Sequence, residues 1–210
     1  MTEEKISIPC GDIQLEGLFH VQEALSIRGG VILCHPHPLY GGDMDNTVIA
    51  AAVEAAYQEG FSTLRFNFRG VGGSGGSHGD GVREREDVKA AIDFFAVRLK
   101  ESDAPVVLLG YSFGAWAGIP VAVEDPRIKG MVAISPPLEL YDFGFLKGCK
   151  KKKLIVTGSR DDYCPLSRLR EFYEQIDEPK SLALIQGADH FYSLHQPALI
   201  KPLREFFKVL

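Results

Sequence analysis

The chain has 210 residues, 28 of them acidic and 23 basic, for a net charge of −5, with 45% hydrophobic and 24% charged side chains. This balance argues against a nucleic-acid or anionic-membrane surface, which carries a basic excess, and a chain of this length buries enough apolar area to fold without a metal or disulfide staple. No apolar stretch approaches the roughly 20 residues that span a bilayer, and Met1-Thr2-Glu3-Glu4-Lys5 lacks the layout of a signal peptide, so a soluble, cytoplasmic protein is expected.

Residues 6–10 and 13–21 flank Gly11-Asp12 and read as an antiparallel hairpin. Short apolar runs follow at 31–34, 64–68, 106–109, 131–134, 154–157 and 182–185, without the alternation of a half-exposed strand. Such runs suit parallel strands covered on both faces. Between them, 46–58, 83–100, 113–123, 166–176 and 197–210 carry apolar residues at helical spacing. Strand and helix alternate from residue 31 onward, which predicts a doubly wound, mostly parallel α/β sheet of about eight strands in one domain over residues 1–210. Cys10, Cys34, Cys149 and Cys164 are scattered without the spacing of a zinc or redox motif. The run Lys150 to Lys153 reads as the solvated start of a strand, and Arg83, Arg85 and Arg98 with Glu84, Glu86 and Asp87 as a solvated helical face. Trp116, Phe66 and Phe68 read as core.

Chemistry concentrates at Gly110-Tyr111-Ser112-Phe113-Gly114, directly between a strand and a helix. In G-x-S-x-G the backbone turns sharply and lifts the serine out of the sheet, and the helix N-terminus points free N–H groups at the reacting oxygen. A serine nucleophile needs a base, and the base an orienting acid, in the chain order Ser, acid, His on loops after later strands. Residues 158–165 supply Asp161 and Asp162, and residues 186–191 supply Asp189 and His190. Asp161 is favoured as the acid, with Asp162 left as a helix cap or alternative. His190 is favoured as the base over His195, which reads as a surface or capping residue, and Asp189 as a turn former. The oxyanion hole draws one N–H from Phe113 and a second from the loop 34–42. Pro36 and Pro38 have none to give there, so His37 leads and Leu39 is held in reserve.

These residues resemble the α/β-hydrolase superfamily over essentially the whole chain. More narrowly, residues 34–42 (CHPHPLYGG), Met44-Asp45-Asn46 and residues 64–73 (LRFNFRGVGG) resemble small lidless bacterial members related to dienelactone hydrolases and to Xaa-Pro dipeptidyl-peptidase-like hydrolase domains. The resemblance implies a Ser112, Asp161, His190 triad and no cofactor. True dienelactone hydrolases carry Cys where Ser112 stands, so that substrate is not implied. Only residues 136–153 separate two strand runs where relatives insert a lid, which predicts an open, shallow site without a cap domain.

Three other readings compete. Gly70-Val71-Gly72-Gly73-Ser74-Gly75 matches a dinucleotide fingerprint, but no helix opens behind it to hold a pyrophosphate. His35-x-His37 could begin a zinc site, but a third ligand at motif spacing is missing, and His35 reads instead as a buried brace for its loop. A binding module that has lost its chemistry would not need the complete Ser, Asp, His set. The expectation is therefore a serine hydrolase acting on a small-molecule acyl ester, with thioesters and amides as alternatives and a homodimer as the commonest assembly.

Overall fold

The structure is a computed structural model and describes residues 2–22, 28–99 and 104–210. Its strands are β1 (Glu4–Cys10), β2 (Ile13–His20), β3 (Gly29–Cys34), β4 (Phe61–Phe66), β5 (Val106–Tyr111), β6 (Ile128–Ile134), β7 (Lys152–Gly158) and β8 (Lys180–Ile185). They form one eight-stranded sheet in the order β1-β2-β4-β3-β5-β6-β7-β8. The β1–β2 hairpin attaches antiparallel to β4, and every later pairing is parallel.

Period-two alternation explains the two layers of core. Val31, Leu33, Val107, Leu109, Val132, Leu154 and Val156 pack on one face beneath α1 (Thr47–Gln58) and α5 (Gln196–Lys208). Ile32, Cys34, Leu108, Met131, Ala133 and Ile155 point the other way, toward α2 (Glu84–Arg98), α3 (Phe113–Glu124) and α4 (Leu166–Gln175). α1 is specified locally as well: Asn46 caps it by accepting from the Val48 N–H at 2.9 Å, a contact worth about 1 kcal/mol. The expected helix 83–100 is α2, and Lys100 lies outside the described residues. Residues 135–151, between β6 and β7, hold only a short 3-10 turn at Gly144–Leu146, so no cap domain covers the sheet edge.

Four expectations need correction. The strand expected at 64–68 runs from Phe61 to Phe66, although Phe66 and Phe68 both reach the core below α2 and α3. β8 is an edge strand rather than one covered on both faces, and leaves Leu182 and Leu184 exposed. Lys153 is buried, its Nζ donating to the carbonyls of Cys149 and Asp177 at 2.8 and 2.9 Å. Glu84 and Asp87 are fully buried instead of solvated. Asp87 pairs with buried Arg69 through Nη2 at 2.7 Å. Glu84 accepts the N–H groups of Gly79 and Gly81, both at 2.7 Å. The glycine-rich run 70–81 is thus a loop strapped to the hairpin, with Gly75 N donating to Gln14 O and Gly73 N to Glu16.

Candidate active site

Ligand-handling groups of an open parallel sheet sit beyond the carboxyl ends of its strands, and the candidate residues gather there. β5 ends at Tyr111 and α3 begins at Phe113, leaving Ser112 alone in the turn with φ 54°. A non-glycine residue with positive φ is strained, and the surroundings over-determine it. Ser112 N donates to Ile134 O at 2.9 Å. A Cβ on Gly110 would meet the Ala115 backbone at 2.5 Å, and one on Gly114 would lie 2.2 Å from the Cys34 carbonyl oxygen. Glycine at both places lets strand, turn and helix close around the serine.

The loops after β7 and β8 build the partners together. Arg160 N donates to Ala188 O and Ser159 N to Ile185 O, tying the two loops side by side. This places Asp161 Oδ1 2.9 Å from His190 Nδ1, and His190 Nε2 2.9 Å from Ser112 Oγ. An ionised carboxylate only accepts, so the Asp161 contact puts the imidazole proton on Nδ1 and leaves Nε2 to accept from the Ser112 hydroxyl. Burial pushes the Asp161 pKa upward, but the hydrogen bond and charge of His190, the Ser135 hydroxyl and the Cys164 N–H outweigh it and hold the carboxyl below its ordinary range. Asp162 is exposed and takes no part, nor does it cap α4, whose start has no side-chain cap. His195 stands at the N-terminus of α5, and Asp189 accepts the Ser193 N–H as a turn former.

The loop 34–42 is organised by its histidines. His35 is fully buried; its Nδ1 donates to Pro36 O at 2.7 Å and its Nε2 accepts from the Phe68 N–H at 3.0 Å. Both ring nitrogens are engaged, which leaves none for a metal, and burial pushes its pKa down to about 4. His37 accepts the Leu39 N–H on Nδ1 at 3.2 Å and the Tyr40 and Gly42 N–H groups on its carbonyl. Leu39 therefore has no free donor, whereas among the described residues no loop hydrogen bond uses the His37 N–H. Phe113, as the first residue of α3, likewise has no acceptor one turn earlier. Ser112, His190, Phe113 and His37 line one cleft of about 720 Å³. The cleft is uncapped, as the missing lid predicts, with Tyr40, Leu140, Tyr141, Tyr163 and Phe191 around it.

The serine elbow and this sheet order agree with the comparisons to known proteins. Residues 27–152 match a family model described as serine aminopeptidase, S33, and residues 111–210 match one described as PhoPQ-activated pathogenicity-related protein. An α/β serine hydrolase homologue from Coxiella burnetii superposes with a TM-score of 0.88 at 34% identity, covering 98% of this chain and 97% of its own. The chain belongs to the α/β serine hydrolase family. An uncharacterized protein of Rickettsia prowazekii is 33% identical over 83% of this hydrolase and 76% of its own length. A mitochondrial palmitoyl-protein thioesterase of Homo sapiens is 25% identical over 80% of this chain, which spans about half (53%) of that relative. Neither family description is that of dienelactone hydrolases, the narrower group that the loop motifs resemble.

Several side chains of the hydrolase's site had no readable signal. Tyr111 OH donates to His190 O at 2.9 Å and so fixes the histidine loop from beneath. Thr157 Oγ1 donates to Asp161 Oδ2 at 3.2 Å, and Ser135 Oγ and Tyr192 OH lie 2.9 Å apart. The Tyr163 ring lies 4.6 Å from that of His190 and the Phe191 ring 5.5 Å from it, shielding the imidazole. Tyr111 lay inside the motif, but a phenol reaching 79 residues along the chain cannot be inferred from neighbours in sequence. Among the described residues no helix is long and apolar enough to cross a membrane.

Proposed function

We propose that this hydrolase cleaves carboxylic esters by acyl transfer through Ser112. The observation that carries the reading is the unbroken line from Asp161 through His190 to Ser112 Oγ, with contacts of 2.9 Å at each join, opening on an apolar cleft. His190 Nε2 takes the Ser112 proton as Oγ bonds to the acyl carbon, while Asp161 stabilises the imidazolium that forms. The carbonyl electron pair moves onto oxygen, where the N–H groups of Phe113 and His37 receive it, each donor worth about 3–4 kcal/mol. Collapse of the tetrahedral adduct breaks the bond to the leaving alkoxide, which accepts the proton from His190. Water then repeats the sequence on the acyl-serine and regenerates Ser112.

Thioesters are the second reading, supported by similarity to the palmitoyl-protein thioesterase. They use the same steps with a thiolate as leaving group. The test measures kcat/KM for an acyl-length series of activated esters and matched thioesters with wild type and Ser112→Ala. Ester turnover that disappears in Ser112→Ala supports the proposal, and turnover undiminished by that change overturns it.

A further inference from the structure

We infer that the cleft selects acyl groups that carry no charge. This deepens the acyl-transfer reading and rests on it. Fifteen of the described residues line the cleft, and they are Pro, Gly, Leu, Phe, Tyr, Ser, Asn and His, without a Lys, Arg, Asp or Glu among them. Asp161 is buried behind His190 and already holds its imidazole, and Asp80, whose charge acts on His37 and Tyr141, stands outside the lining with its carboxylate in solvent. An aminopeptidase must hold the α-ammonium beside the scissile carbonyl, and an ammonium brought into an apolar cleft without a counter-charge keeps its full desolvation cost. A carboxylate on the acyl group meets the same cost. The walls instead offer ring faces and edges. Tyr141 stacks on Trp116 with centroids 4.2 Å apart and planes at 13°, which fixes the orientation of one wall. Tyr40, Leu140 and Phe191 are 87%, 59% and 62% exposed, so apolar surface continues to the mouth. An alkyl or aryl acyl group fits such a cleft.

The experiment compares the p-nitrophenyl esters of 4-methylpentanoate and leucine, which differ only in the α-ammonium, and of pentanoate and succinate, in which a carboxylate replaces the terminal ethyl group. Spontaneous hydrolysis is subtracted from each rate, and Ser112 labelling by a fluorophosphonate is followed alongside. Each charged member is expected to react with a kcat/KM at least about tenfold lower than its partner. Leu140→Asp, which sets a carboxylate in the wall, is expected to narrow the leucine gap by about tenfold. Intact labelling with leucine or succinate esters preferred overturns the charge selection alone. Loss of both labelling and turnover in the wild type overturns the acyl-transfer reading with it.

A separate observation points to His78 as a positioning residue for the oxyanion donors. Its ring centroid lies 5.1 Å from that of His37 and 5.6 Å from that of Phe113, which are themselves 4.6 Å apart. The three rings form a triangle, and two of them belong to the residues proposed as oxyanion donors. Glu84 stands beside it: its fully buried carboxylate lies 3.0 Å from His78 Nδ1 and accepts Gly79 N and Gly81 N from the same loop. The glycine-rich loop thus wedges one ring against both donors. With the acyl-transfer activity of the wild type as reference, His78→Ala is expected to lower kcat about tenfold with KM little changed, and to weaken a trifluoromethyl ketone in proportion. His78→Phe, which keeps a ring, should recover most of that loss. If the alanine variant does not fold, His78→Leu against His78→Phe makes the same comparison. A folded variant with wild-type kcat, or a phenylalanine variant no better than the aliphatic one, overturns the assignment.

Discussion

Gly114→Ala probes the contact on which the proposed oxyanion geometry depends. The added methyl would lie 2.2 Å from the Cys34 carbonyl oxygen and 2.5 Å from that of His35. Both are backbone atoms at the end of β3, unable to swing aside like a side-chain tip, so α3 and the β3 end must separate by about 1 Å to regain ordinary contact. That separation moves the Phe113 N–H away from the His37 N–H. Misplacement of about 1 Å costs about 100-fold in rate, or about 2.7 kcal/mol of transition-state stabilisation, and overpacking costs about 1–3 kcal/mol of stability. Gly118→Ala, one turn further along α3, is the control. A Cβ there meets Leu108 Cδ2 at 3.0 Å and Cys34 Sγ at 3.1 Å, both side-chain atoms that can yield. Its helix gains roughly 0.5–1 kcal/mol from alanine, so stability should change by less than about 1 kcal/mol. The assay is kcat/KM on an activated ester, with urea melts to establish folding. A folded Gly114→Ala enzyme with wild-type kcat/KM would refute the claim that this close approach sets the donors.

Three further outcomes are expected. Asp161→Asn keeps the shape but not the charge that orients and stabilises the His190 imidazolium, and kcat should fall by about 10³–10⁴-fold; a loss under tenfold in ester kinetics would contradict the role. His35 is held neutral down to about pH 4 when folded, against an ordinary value of 6.5. The unfolded chain therefore binds the proton first as pH falls, and stability should drop by about 3 kcal/mol between roughly pH 6.5 and 4. Urea melts across that window should show a shallower decline for His35→Gln, and an equally steep one would contradict the account. Arg69→Met strands the buried Asp87 carboxylate and should cost about 3–5 kcal/mol, read as a lower urea midpoint, while Arg69→Met with Asp87→Leu should restore most of it.

The layered sheet was legible because its strands are short unbroken apolar runs and its helices amphipathic. The order Ser112, Asp161, His190 was legible because each lies on the turn or loop after a strand, and sheet topology then brings strand ends together. Pro36 and Pro38 narrowed the proposed second oxyanion donor by elimination, and the Leu39 N–H, held in reserve, is taken up by His37 Nδ1. What escaped was set by partners distant in sequence. Glu84 lies among charges on a helix that looks solvated, yet its acceptors' partners are N–H groups of a glycine loop, which carry no sequence signature. Lys153 ends a basic run but meets carbonyls of two separate turns. The exposure of Leu182 and Leu184 follows from the edge position of β8, which strand hydrophobicity does not encode. The aromatic walls of the cleft come from four different loops, so which rings would line it could not be inferred from neighbours in sequence.

The most direct test of the central claim is covalent labelling by a fluorophosphonate, read by intact-protein and peptide mass spectrometry. Attack by an activated Ser112 predicts one label per chain, on the peptide containing Ser112, and its loss in His190→Ala. A label on another residue, or labelling of Ser112 that is as fast in His190→Ala as in wild type, would contradict it.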